Sequence, residues 1–218
     1  MASDSREQAA LDAYFKLMQG KGADEANLAL RRALLMRLLP ALAGQPADGG
    51  LYRDLVDDAL PTVERERWPF FLLLTREYFP FWANDIKAIA VLNAGGGFGV
   101  EPLPQAQTEE SLKQVWKRLD TEKFSVAETW PLKAYLAALR EEGADKSIAD
   151  TRQKLVKLLL VQLRDVTEKN GKHYRTAVDA TLPLFVMKET RNLFLVVVRE
   201  FFYFWMGDPD AATHIVLE

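Results

Sequence analysis

The sequence predicts an all-α protein built as two tandem, internally duplicated helical units of about four helices each. The units are expected to pack with pseudo-twofold symmetry around two apolar central helices, and three observations carry that expectation. Residues 70–85 (FFLLLTREYFPFWAND) and 193–208 (LFLVVVREFFYFWMGD) align without a gap. They share Phe71/Phe194, Arg76/Arg199, Glu77/Glu200, Phe79/Phe202, Phe81/Phe204, Trp82/Trp205 and Asp85/Asp208. Each segment is apolar almost all the way round a helical wheel, interrupted only by its Arg and Glu, and such a helix belongs inside a protein. Further blocks then recur in the same order. Leu11, Ala13 and Tyr14 match Leu132, Ala134 and Tyr135, Gly22-Ala23-Asp24 matches Gly143-Ala144-Asp145, and Arg31, Leu34, Leu38, Leu39 and Leu42 match Arg152, Leu155, Leu159, Leu160 and Leu163. YRDLVDDALP (52–61) returns as YRTAVDATLP (174–183). Finally, the offset drifts only from 121 to 122 to 123, as single-residue slips in or near loops would produce. Amphipathic spacing alone accounts for matching leucines, but not for matching polar residues in a fixed order.

Taken in order, the first helix is expected over 6–19, with Leu11, Tyr14, Phe15 and Met18 on one face and Gly20-Lys21-Gly22 ending it. Asp24 is placed to cap the second helix, whose stripe runs through Leu28, Leu35, Leu38, Leu39 and Leu42. Pro40 lies inside that stripe and is expected to kink or shorten the helix. A turn-rich loop at 44–50 leads to a short helix over 51–60. Pro61 then opens the approach to the first central helix, with Glu64 and Glu66 near its positive end. Pro80, which stands where the second copy has Tyr203, is expected to bend or break the first central helix near 76–80.

After residues 86–93 comes a run of glycines (Ala94-Gly95-Gly96-Gly97-Phe98-Gly99) followed by Pro102 and Pro104. A phosphate-cradling glycine loop must lead straight into a helix N-terminus, whereas this one leads into proline-containing chain, so it reads as a linker. A polar amphipathic helix follows from about 108, with Leu112, Val115, Trp116 and Leu119 inward. The expected organisation is therefore repeat unit 1 at 6–91, a Gly/Pro linker with one polar helix at 92–127, and repeat unit 2 at 128–212.

Composition narrows the function classes. The chain has 218 residues, 49% of them hydrophobic and 27% charged, which is enough for a sizeable core. A net charge of −3 gives no electrostatic footprint for nucleic acid. With no cysteine there is no disulfide framework and no thiolate nucleophile or ligand. The polar, acidic start of the chain is unlike a secretory signal, and the longest apolar runs are interrupted before reaching the ~20 residues of a membrane span. The expected setting is cytoplasmic. His173 and His214, the only histidines, lie outside metal-ligand spacings, and no Walker, GxSxG or dinucleotide fingerprint occurs. No metal or cofactor is expected.

The repeated polar positions are the remaining candidates. Arg53/Asp57 and Arg175/Asp179 lie four apart on one helix face, the spacing of a surface ion pair. Arg76–Glu77 and Arg199–Glu200 point ~100° apart on the central helices and need partners elsewhere if buried. Two pairings are expected to be possible: Arg76 with Asp57 and Arg199 with Asp179 within units, the favoured one, or Arg76 with Glu200 and Arg199 with Glu77 across the axis. In both, the arginines are expected to be mostly buried. Phe71, Phe79, Trp82, Phe194, Phe202 and Trp205 are the candidate lining of an apolar pocket between the units. With no catalytic constellation in view, the expected function is a non-enzymatic helical scaffold or adaptor with a protein partner. The alternative is a binder of an apolar or aromatic small molecule.

Overall fold

The computed structural model describes residues 6–94, 112–164, 166 and 168–217, and among them every regular element is helical. The chain divides into two compact units, Met1–Gln105 and Ala106–Glu218. The first holds α1 (Arg6–Gly20), α2 (Glu25–Leu42), α3 (Gly49–Ala59), α4 (Trp68–Trp82) and α5 (Ile86–Ala94). The second holds α6 (Leu112–Thr121), α7 (Val126–Glu141), α8 (Lys146–Leu163), α9 (Gly171–Thr181) and α10 (Lys188–Met206). The glycine run from Gly95 and the prolines after it lie outside the described residues. The polar helix α6 packs on α8 and thereby belongs with the second unit.

Local chemistry explains the boundaries. Asp24 Oδ1 accepts from Asn27 N at 2.7 Å and Asp145 Oδ1 from Ile148 N at 2.8 Å, so α2 and α8 start on matching caps. Asp48 and Asn170 do the same for α3 and α9, accepting from Leu51 N at 2.7 Å and His173 N at 2.9 Å. α7 starts on a capping box: Ser125 Oγ accepts from Glu128 N, and Glu128 Oε2 accepts from Ser125 N at 2.6 Å. Both Gly-Ala-Asp turns follow a helix end and contain a left-handed glycine, Gly22 at φ 86° and Gly143 at φ 91°. Short 3₁₀ turns, Leu60–Thr62 and Leu182–Leu184, carry Pro61 and Pro183 after α3 and α9.

In the first unit, α4 is the central element. It packs on α1, α2, α3 and α5, and it buries Phe70, Phe71, Leu74, Tyr78, Phe81 and Trp82 in one cluster with Leu11, Tyr14, Met18, Leu35, Leu38 and Tyr52. In the second unit, α10 packs on α7 and α8 and buries Phe194, Val197, Val198, Phe201 and Trp205. The two central helices differ in one respect that their sequences hide. α4 is buried on most sides, whereas α10 keeps an outward face that includes Leu193, Arg199 and Met206.

Neither helix breaks at its proline. α2 runs through Pro40 to Leu42, and α4 remains helical through Pro80 to Trp82, so the expected break does not occur. Each proline removes one i→i−4 bond, to Met36 in α2 and to Arg76 in α4, and each helix ends two residues after it. The ends themselves are closed by left-handed residues, Asn84 at φ 56° after α4 and Gly207 at φ 77° after α10.

Candidate functional site

Each unit holds a buried Tyr–Arg–Glu cluster. In the first, Tyr14 comes from α1, Arg31 from α2 and Glu77 from α4, with Arg31 and Tyr14 at 1% and 0% exposure and Glu77 at 6%. Tyr14 Oη donates to Glu77 Oε2 at 2.9 Å, and Arg31 Nη1 donates to both Tyr14 Oη and Glu77 Oε2. Arg31 Nε donates to Asn27 Oδ1 at 2.6 Å, and the guanidinium lies over the Phe70 ring at 5.1 Å. In the second unit, Tyr135 comes from α7, Arg152 from α8 and Glu200 from α10. Tyr135 Oη donates to Glu200 Oε2 at 2.6 Å, and Arg152 Nη1 donates to Tyr135 Oη at 3.2 Å and to Glu200 Oε2.

Helical geometry places these groups. On α4 and α10, Glu and Arg are neighbours in sequence and point ~100° apart, so only one of each pair can face the unit's interior. The glutamate does so. It meets an arginine from the second helix of its unit and a tyrosine from the first, and the three tie three helices together.

Burial sets the electrostatics. It lifts the Glu77 carboxyl above the ordinary carboxylate range, even though Arg31 and Tyr14 pull it back. Tyr14 and Tyr135 are pushed far above the usual phenol range, first by burial, with the adjacent carboxylates adding to it. Burial would lower Arg152, but hydrogen bonds to Glu200 and Tyr135 outweigh it and raise the guanidinium further. At neutral pH both hydroxyls therefore remain protonated donors. The cluster spends its charges on itself, and its chemistry is that of a buried, hydrogen-bonded ion pair.

The remaining sequence candidates fall as follows. Glu77 and Glu200 pair within their own units with Arg31 and Arg152, which replaces the alternative pairing of Arg76 with Glu200 and Arg199 with Glu77. Arg199 is exposed and Arg76 only half-buried, so the expectation of mostly buried arginines at these positions is corrected: with the glutamate inward, the adjacent residue turns outward. Asp179 is buried and Asp57 half-buried, while Arg53 and Arg175 are exposed; Arg53 Nε donates to Gly49 O at 3.1 Å. Tyr52 and Tyr174 are buried and donate to the main chain of the central helices, at Thr75 O (2.7 Å) and Val198 O (2.6 Å).

The aromatic candidates pack as core. Tyr52 meets Phe79 at 4.9 Å and Trp82 at 5.2 Å between ring centroids, and Tyr174 meets Phe202 at 5.0 Å and Trp205 at 5.1 Å. Phe71 and Phe194 are fully buried, the latter against Phe185 at 4.8 Å. Two further polar side chains fasten the central helices at their start. Trp68 Nε1 donates to Val63 O at 3.0 Å and Arg191 Nη1 to Val186 O at 2.8 Å, each tying the first turn of a central helix to the segment before it.

Among the described residues, no group of three or more His, Asp or Glu side chains is arranged to hold a metal ion, and no helix is long and apolar enough to cross a membrane. Compared with family models, curated proteins and solved structures, the chain matches none of them.

Proposed function

We propose that this protein is a non-enzymatic, internally duplicated helical scaffold that mediates protein–protein interaction. The observation that carries the reading is an outward apolar pair on the first turns of α7, Val126 at 81% and Trp130 at 73% exposure. They are four residues apart and so lie on one helix face. A tryptophan held out from a rigid helix is the type of side chain that dominates binding energy at protein interfaces. At the offset of 121, position 130 corresponds to Ala9, so this feature belongs to the second unit alone. The duplication is supported by the two Tyr–Arg–Glu clusters, whose members recur at the sequence offsets of 121, 121 and 123 with the same hydrogen bonds. The repeated Tyr, Arg and Glu of the two clusters are committed to folding, which favours a scaffold over an enzyme. The cysteine-free composition fits a cytoplasmic setting.

The test is a photo-crosslinking residue at the exposed position of Ala127, which leaves Trp130 in place, followed by reconstitution with the purified partner it captures. A single stoichiometric partner is expected, with affinity falling at least tenfold on Trp130→Ala. Unchanged affinity on Trp130→Ala would defeat the reading. A rise in melting temperature with an apolar small molecule, and no protein partner, would favour the ligand-binding alternative.

A further inference from the structure

Among the described residues, the Arg152–Glu200 pair does one thing its counterpart in the first unit does not: it holds a segment of main chain. Val216 N donates to Glu200 Oε1 at 3.0 Å, and Arg152 Nη2 donates to Val216 O at 2.9 Å. Both bonds go to one residue, which is itself 52% exposed. Val216 is therefore held by its amide and carbonyl. Ile215 before it is extended, at φ −72° and ψ 132°, so the main chain presents these groups outward from the 3₁₀ turn Ala211–His214.

The guanidinium is only partly used. Arg152 is 6% exposed, yet its Nε has no hydrogen-bond partner. Nε and Nη2 lie along the same edge of the guanidinium plane, the edge that grips a carboxylate through two parallel N–H···O bonds. A peptide carbonyl brings one oxygen to that edge and engages Nη2 alone. In the first unit, Asn27 Oδ1 fills the Nε position on Arg31. The corresponding residue of the second unit is Ile148, which has no acceptor to offer.

We propose that Arg152 and Glu200 form a receptor for the C-terminal residue of a peptide chain. Glu200 Oε1 takes the residue's amide N–H, and the Nε/Nη2 edge of Arg152 takes its carboxylate. Carboxylate in place of the Val216 carbonyl keeps the amide where it is and supplies the second oxygen that Nε lacks. Because the Val216 side chain faces outward, the site reads the main chain and the charge, with little demand on the side chain. The proposal needs no contact at Trp130 and stands apart from the scaffold reading.

The experiment moves a terminal carboxylate along the chain. Proteins ending at Val216, Leu217 and Glu218 are compared by thermal unfolding. The chain ending at Val216 is expected to melt about 2–4 °C above the other two, the shift for one added charge-assisted bond in a protein of this size. Arg152→Lys, which keeps the charge but loses the fork, should abolish that difference. A Val216-ended chain that melts at or below the others overturns the proposal. The second arm uses a chain ending at Thr213 and the probe acetyl-His-Ile-Val, as free acid and as amide. The acid should bind at least tenfold more tightly; equal binding, or none to a chain that is still helical, also overturns it. If the shortened chain or Arg152→Lys does not fold, the comparison of the three chain ends decides alone.

Discussion

Tyr14, Arg31 and Glu77 illustrate how little a buried ion pair has to do with a surface one. A solvent-exposed pair contributes about 0–1 kcal/mol, whereas leaving one member of a buried pair without its partner costs about 3–5 kcal/mol. Arg31→Ala and Arg152→Ala are therefore expected to lose about 3–5 kcal/mol each in denaturant unfolding. Arg199→Ala, at an exposed position, should change stability by less than about 0.5 kcal/mol. A loss at Arg199 of the size expected at Arg152, with little at Arg152 itself, would mean that the outward arginine, not the inward one, serves the glutamate. Replacing the first cluster together, with Arg31→Met, Glu77→Leu and Tyr14→Phe, should recover much of the single-variant loss, because no buried charge is then left alone.

At the scale of single elements, the ends of helices offer the cleanest tests. Gly207 closes α10 at φ 77°, and no atom lies within 4 Å of where its Cβ would be. The cost of Gly207→Ala is thus backbone strain alone, about 1 kcal/mol. Gly207→Asn should cost less, since Asn84 already holds the corresponding left-handed position after α4. For the same reason Asn84→Gly should be neutral or slightly stabilising. Equal losses for Ala and Asn at 207 in thermal unfolding would count against strain as the cause.

The start of α7 depends on pH. Burial alone would raise the Glu128 carboxyl, but the Ser125 amide and hydroxyl and the Arg164 guanidinium outweigh it and hold the group below the ordinary carboxylate range. Arg164 Nε donates to Glu128 Oε1 at 3.0 Å and thereby ties the end of α8 to the start of α7. Because the folded value is depressed, the stabilisation is present above the unfolded value near pH ~4.3 and is lost as pH falls through the folded value. The margin of the natural chain over Glu128→Gln, at most about 1 kcal/mol at pH 7, should shrink steadily below pH ~4 in urea unfolding. A margin independent of pH would show that the carboxylate's charge contributes nothing there.

For the whole molecule, the division into two units predicts that each folds alone. Residues 6–94 and 112–217, expressed separately, should each be helical by circular dichroism and unfold cooperatively with heat, since each carries its own buried ion pair and aromatic core. A fragment that stays unstructured while the intact chain is folded would show that its core is incomplete without the other. In that case Arg31→Ala and Arg152→Ala would lower one shared transition and not two separate ones.

The sequence by itself determined the helical class, the start of α2 at Asp24 and the recurrence of residue blocks in a fixed order, because these depend on neighbours along the chain. Asp24 and Asp145 cap where their spacing says they should, and apolar residues at three-to-four spacing lie inward on α1 and α2. The recurrence of Tyr14 and Arg31 as Tyr135 and Arg152 was equally legible, yet nothing local said that these residues were partners of Glu77 and Glu200. That required knowing which way α4 and α10 turn on their axes against the other helices of their unit, and adjacent residues ~100° apart leave the choice between Arg and Glu open. Whether Pro80 ends its helix was likewise left to the packing of α4 on α1, α2, α3 and α5, and α4 runs two residues past it. Only the tertiary structure decided that the C-terminal main chain meets Arg152 and Glu200. A contact made through an amide and a carbonyl leaves no mark on side-chain pattern, so no reading of residue types could have found it.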